Sequence, residues 1–229
     1  MVKQLRAVRT REALIRAAAE VFAHNGYARA SLPAISERAG VSAGALHFHF
    51  PNKEALADEV EDAAVRAVRE LAEQCPRTGG GALETLVTVT HHLVAAVTTD
   101  PVTWAGFRLS GDPVRRRRAG LLEWWHVWVL DMMGQAREAG ELADGVSPEN
   151  AAVAVVAATV GFEALGSRER EWLSPERMVQ FWTFLLPGLA AACPPSLVQA
   201  LNGVGVDPPK RRNGSVALVG TAHEADTAT

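Results

Sequence analysis

Apolar residues recur every three to four positions through most of this chain, the spacing that lays one apolar stripe along an α-helix. Over residues 10–25, Leu14, Ala18, Val21 and Phe22 form such a stripe, and Asn25-Gly26 closes the helix. Tyr27 is placed to fold back on it as a core residue. Residues 31–39 predict a short helix, with Ser31 as N-cap, Pro33 in the first turn and Leu32, Ile35 and Ala39 on one face. Gly40 offers the left-handed backbone position that ends a helix, Val41 can enter a core, and Ser42 caps a second short helix through Ala43, Gly44, Ala45 and Leu46. A long helix follows over residues 52–74, with Leu56, Val60, Ala64, Ala67, Val68 and Leu71 inward and charges elsewhere, until Pro76 and the glycines at 79–81 break it. Helices are predicted over 82–98, 101–109, 116–139, 148–166 and 174–191. No alternating stretch competes with them, so the fold class is all-α.

Two short helices joined by a glycine turn are a helix-turn-helix, whose second helix can enter the major groove of DNA. The second helix supports that role. Ala43, Gly44 and Ala45 make its leading surface flat enough for close approach to base edges, and His47 and His49 carry polar tips that reach phosphates. The same small residues would also suit close packing inside a core. Lys53 lies just beyond this helix, and Lys3, Arg6 and Arg9 form an arm upstream that either follows DNA or remains a solvated tail.

Charge separates the chain into two parts. Residues 1–53 hold eight Lys or Arg (Lys3, Arg6, Arg9, Arg11, Arg16, Arg29, Arg38, Lys53) against Glu12, Glu20 and Glu37, a net +5. With the whole chain at −3, the remainder carries −8, so the electrostatic footprint for phosphates lies at the front alone. The 229 residues, 48% of them hydrophobic, are ample for one or two cores. No uncharged run of about 18 apolar residues is present and the N-terminus lacks a signal-peptide core, which points to a cytoplasmic protein without a membrane partner. Cys75 and Cys193 have no metal-type spacing, and no zinc, nucleophile or phosphate-loop signature occurs, so no metal, cofactor or catalytic residue is expected.

The residues also carry a family resemblance. Ile15, Ala18, Phe22, Gly26, Tyr27, Leu32, Ile35, Ala39, Gly40, Val41, Gly44, the HFHF run at 47–50 and Lys53-Glu54 with Leu56 resemble the DNA-binding domain of TetR-type repressors. The opening VKQLRAVRTREALIRAAAEVF together with GALHFHF is similar, more narrowly, to the γ-butyrolactone receptor branch of streptomycete regulators. The resemblance implies an Ω-shaped homodimer: a three-helix DNA-binding domain at 1–53, a helical ligand-binding and dimerisation domain at 54–203 and a flexible tail at 204–229. It implies a pseudo-palindromic DNA operator and a small hydrophobic effector, with Lys3, Arg6, Arg9, Ser31, Ser42, Ala43, Gly44, His47, Phe48, His49 and Lys53 facing DNA.

For the effector pocket the candidates are Leu86, Trp104, Phe107, Trp124, Trp128, Thr159 and Phe162, aromatic mass with a few polar groups nearby, although such clusters are also ordinary core. Trp124, in Leu122-Glu123-Trp124, matches the tryptophan that covers ligand in butyrolactone receptors. Two departures stand out: Ala64 occupies the position of an expected ligand-binding Gln, and Ala43 a position where relatives often carry Lys. Residues 151–162 are apolar nearly all round, and the helix over 174–191 adds Phe181, Trp182, Leu185 and others, so Val155, Phe181, Trp182 and Leu185 are read as dimer interface unless one subunit buries them. The run Arg115 to Arg118 reads as a solvated loop or helix start. Two function classes remain: a ligand-released repressor, either of secondary-metabolite genes and answering a γ-butyrolactone-like signal or an antibiotic or late metabolite, or of an efflux or catabolic operon answering an unrelated hydrophobic ligand; and an enzyme or carrier using the aromatic pocket.

Overall fold

The computed structural model describes residues 2–75, 81–115 and 120–201, with the backbone alone described at 2 and 3. The expected tail, the arginines at 116–118 and the breakers at 76–80 lie outside the described residues. Ten α-helices and one 3-10 turn make up the described chain, and its one isolated β-type pairing is an antiparallel bridge between Leu142 and Ala190. The helices are α1 (Val2–Arg29), α2 (Leu32–Ala39), α3 (Ala43–His49), α4 (Lys53–Gln74), α5 (Ala82–Thr99), α6 (Pro101–Ser110), α7 (Leu121–Glu138), α8 (Pro148–Gly166), α9 (Pro175–Leu189) and α10 (Pro195–Leu201).

Helix α1 starts far earlier than the apolar stripe indicates. Lys3, Gln4, Leu5, Arg6 and Ala7 are all good helix formers, and Thr10, read as the start, instead donates its hydroxyl to the Arg6 carbonyl at 2.9 Å. The basic arm is therefore helical. Its end is where the sequence placed it: Gly26, at φ 73°, breaks the helical backbone. The next turn also follows the expectation, with Ser31 and Ser42 accepting from Ala34 and Ala45, and Gly40 at φ 66° donating to the carbonyls of Glu37 and Ser36. Helix α5 has no cap of its own. The Glu141 carboxylate, from the turn after α7, accepts the N–H groups of Ala82 and Leu83 at 2.9 Å each.

Behind the helix-turn-helix, α6 lies against both α1 and α4, while α5 runs through the centre in contact with α4, α6, α7, α8, α9 and α10. The α4–α6 crossing is close because Gly106 has no side chain: a Cβ there would collide with the Cβ of Ala64. The α6–α7 connection is anchored by Arg115. Its side chain is 3% exposed and pairs with Asp58 at 2.6 Å and Glu61 at 2.8 Å on α4. This corrects the solvated-loop reading for Arg115: four consecutive arginines look like a surface run, but acids one and two turns apart on α4 draw the first of them inward.

His91 and His92 are buried on α5, and burial lowers the basicity of both below the ordinary value of 6.5. A lowered pKa means that the unfolded chain binds the proton more tightly, so stability is lost as pH falls through 6.5. Glu163, whose pKa is raised by burial, acts in the opposite sense and offsets part of the loss. The urea midpoint is expected to fall between pH 7 and pH 5.5, and a flat profile there would contradict the buried neutral histidines. Gly106→Ala is expected to cost about 1–3 kcal/mol by overpacking, read from the same unfolding curves.

Candidate DNA-reading face and effector cleft

Helix α3 is held by two apolar anchors, Leu46 at 1% exposure and Phe50 at 3%, with the Arg11 guanidinium over the Phe50 ring. Those anchors turn the other side outward. Ser42, Ala43, Gly44 and His47 are exposed, His49 is half-buried, and Phe48 is 82% exposed. An aromatic ring left so open on a seven-residue helix has no role in this subunit's core. Ser31 is exposed at the start of α2, and Arg6 and Arg9 are exposed on α1 with no ion pair among the described residues. The side chain of Lys3 lies outside the description.

Lys53 requires a correction. Its ammonium donates to the carbonyls of Tyr27 at 2.9 Å and Ala30 at 3.0 Å, and it sits 4.4 Å from the centre of the Tyr27 ring. The end of α1 leaves carbonyls without partners, and the first residue of α4 satisfies them. Lys53 thus ties α4 to α1 rather than standing free for phosphate. Tyr27 donates to Glu54 at 2.5 Å, and burial with that carboxylate pushes its hydroxyl up to about 12.

Of the seven pocket candidates, two line a common cleft. Trp124 and Trp128 on α7 face Arg69, Ala72 and Glu73 on α4 and Thr85 on α5 across a space of about 390 Å³. The two indoles are stacked 6.3 Å apart at 19°, Trp125 stacks behind Trp128, and the Arg69 guanidinium lies 6.0 Å from the Trp124 ring. The other five lie elsewhere. Leu86 and Phe107 are core. Trp104 donates its N–H to Glu163, between His24 and Arg170, and Thr159 donates to the Val155 carbonyl of its own helix. Phe162 packs on Trp172 and Phe181. Arg69, Glu73 and Thr85 were missed because they look like ordinary surface positions of two helices; only the approach of α7 makes them a wall. Ala64, in place of the expected Gln, is fully buried against Gly106, away from the cleft lining, and has no room there for a longer side chain.

The interface candidates also divide. Val155 and Trp182 are fully buried within this one chain, which corrects their reading as partner-facing, whereas Phe181 and Leu185 are half-buried. The side of α8 and α9 turned outward carries Val153 at 60%, Leu165 at 42% and Phe184 at 86% exposure. By length and composition α8 would also suit a membrane span, although a soluble protein with a covered face passes the same test. The two cysteines are free; Cys75 lies buried with its sulfur 3.2 Å from His92 Nδ1, and burial pushes its thiol up to about 11.

Residues 14–60 match the model of bacterial regulatory proteins of the tetR family. The chain is 31% identical over 194 residues to the A-factor receptor protein of Streptomyces griseus, covering 83% of this chain and 67% of that one. Its fold is similar to a γ-butyrolactone receptor (ArpA-like protein) at a TM-score of 0.73 and 28% identity, over 86% of this chain and 98% of the other. It is similar also to CprB from Streptomyces coelicolor in complex with its operator sequence, at a TM-score of 0.72 and 29% identity over 85% and 96%. The chain belongs to the TetR family of bacterial regulatory proteins, in the branch of the γ-butyrolactone receptors.

Proposed function

We propose that this protein is a cytoplasmic, homodimeric repressor, not an enzyme, that grips a pseudo-palindromic operator and is released by a small hydrophobic effector. The observation that carries the reading is α3: a short, doubly anchored helix that leaves Ser42, Ala43, Gly44, His47 and Phe48 outward on a domain with net positive charge. Residues 1–53 read DNA and residues 54–203 sense the effector. The small face of α3 permits close approach, Phe48 supplies apolar contact to thymine methyl groups, and Arg6 and Arg9 hold phosphates without selecting sequence. The two copies meet through Val153, Leu165 and Phe184, since an apolar face this open needs cover.

The effector enters beside Trp124 and Trp128. One observation favours a signal other than the usual butyrolactone: the α4–α6 crossing occupies the place from which a Gln at residue 64 would offer a hydrogen bond. A late metabolite of a secondary-metabolite pathway, or the substrate of an efflux or catabolic operon, fits a cleft that has the Trp124 and Trp128 indoles on one wall and the polar side chains of Arg69, Glu73 and Thr85 on the other.

Selection of random DNA duplexes on the full chain, followed by gel shift, tests the reading; failure to enrich any palindromic sequence would defeat it. On the selected operator, Phe48→Ala is expected to weaken binding about tenfold where a thymine is required and to relax that position. Arg6→Ala is expected to weaken all duplexes alike and to lower the salt slope by about one. Phe184→Asp is expected to give a monomer by light scattering with an intact helical spectrum and little operator binding, whereas a stable dimer would place the interface elsewhere.

A further inference from the structure

Arg115 joins three parts of the molecule, and we propose that it is the positioning residue that sets the angle of the reading helix α3 relative to the sensing helices. The inference rests on the chain being a DNA-binding regulator. Its guanidinium bonds Asp58 at 2.6 Å and Glu61 at 2.8 Å, with Glu54 at 3.5 Å from its third nitrogen. The three acids sit four and three residues apart, so they form one stripe along the first half of α4. From this stripe one line of contacts runs forward and one runs back.

Forward, Glu54 accepts the Tyr27 hydroxyl at 2.5 Å, and the Tyr27 ring has Lys53 at 4.4 Å and Arg115 at 5.5 Å. Tyr27 follows Gly26, where the long part of α1 ends, so these contacts grip the end of α1, the helix against which α2 and, through it, α3 are packed. Backward, Glu61 accepts the Ser110 hydroxyl, and Ser110 accepts the N–H of Leu121, the first residue of α7. Gly120 completes the fit, because a side chain there would occupy the position of the Glu61 carboxylate. Helix α7 is the one that carries Trp124 and Trp128. A line of hydrogen bonds and ion pairs therefore runs from the start of the cleft helix through Glu61, Arg115 and Glu54 to the reading domain, and Arg108, donating to the Ala23 carbonyl at 2.7 Å, braces the same joint from α6.

The chemistry of the joint makes it stepwise rather than elastic. A guanidinium presents several donors in a fixed plane, so it can hold carboxylates on one stripe only at one setting of α4. Glu61 is 3% exposed. Any swing of α4 that separates it from Arg115 leaves a buried charge without its partner, and intermediate angles are disfavoured. The front of the molecule is thereby held at one orientation until the joint breaks. In a dimer that orientation fixes the distance between the two α3 helices.

The test uses the full-length protein and an operator recovered by duplex selection, with one base pair inserted between its half-sites. The wild type is expected to lose about tenfold or more in affinity on insertion, because the two reading helices are held at one separation. Arg115→Gln combined with Glu61→Gln removes both charges of the buried pair and leaves hydrogen-bonding groups in place. That variant is expected to tolerate the insertion with a loss of about threefold or less, since a loosened joint adapts to either spacing. Simple destabilisation would lower both affinities and keep their ratio, so a folded, dimeric double variant that discriminates as strongly as the wild type overturns the proposal. A second readout needs no DNA. All six tryptophans lie beyond residue 100, so their emission follows the sensing domain while far-UV ellipticity follows the whole chain. In urea the two signals are expected to coincide in the wild type and to separate in the double variant; coincidence in the double variant also overturns it. A wild type that selects no duplex defeats the DNA-reading assignment, and the urea comparison then decides the joint alone.

Discussion

The crossing of α4 over α6 is the constraint on which the arrangement depends. Gly106 meets the methyl group of Ala64 with no intervening side chain, so the two axes approach closely and α6 reaches α1 as well. Because α6 touches both the long connecting helix and the first helix of the chain, the front domain is seated on the rear one rather than tethered to it. Close packing of this sort transmits displacement instead of absorbing it. The same crossing also explains a chemical departure: where the branch is expected to offer an amide to its ligand, this chain has given the space to helix contact.

Much of the front of the molecule was legible because its signals are local. Ser31, Gly40 and Ser42 act within three or four residues of themselves, as caps and as a left-handed turn, and the structure shows each doing so. The outward face of α3 was legible for a related reason: with Leu46 and Phe50 buried, helical periodicity leaves little choice for the rest. What a one-dimensional pattern lacks is information about partners far along the chain. Lys53 and Arg115 look like free surface cations until Tyr27, Ala30 and the stripe of acids on α4 are brought beside them.

The rear domain was harder for a different reason. Apolar and aromatic residues serve core, cleft and interface equally well, so composition cannot assign them, and Trp182 and Phe184, two residues apart, end in opposite environments. A helix such as α8, apolar on most sides, defeats periodicity because no polar face marks the outside. The buried Val155 and the exposed Val153 are distinguished only by the direction from which α5 and α7 pack. Similarly, Arg69 and Glu73 acquire meaning as cleft residues only when Trp124 and Trp128 stand opposite them.

The open ring of Phe48 has a thermodynamic consequence. Covering a phenyl group that is now in water removes apolar surface from solvent, and such burial gives association a negative heat-capacity change. In the proposed complex, contacts from Arg6 and Arg9 to phosphates would instead release counterions and weaken as salt rises. Under the proposed function, grip and recognition would therefore respond to different variables: ionic strength on the arm, and temperature on the tip of α3, where Phe48 is exposed.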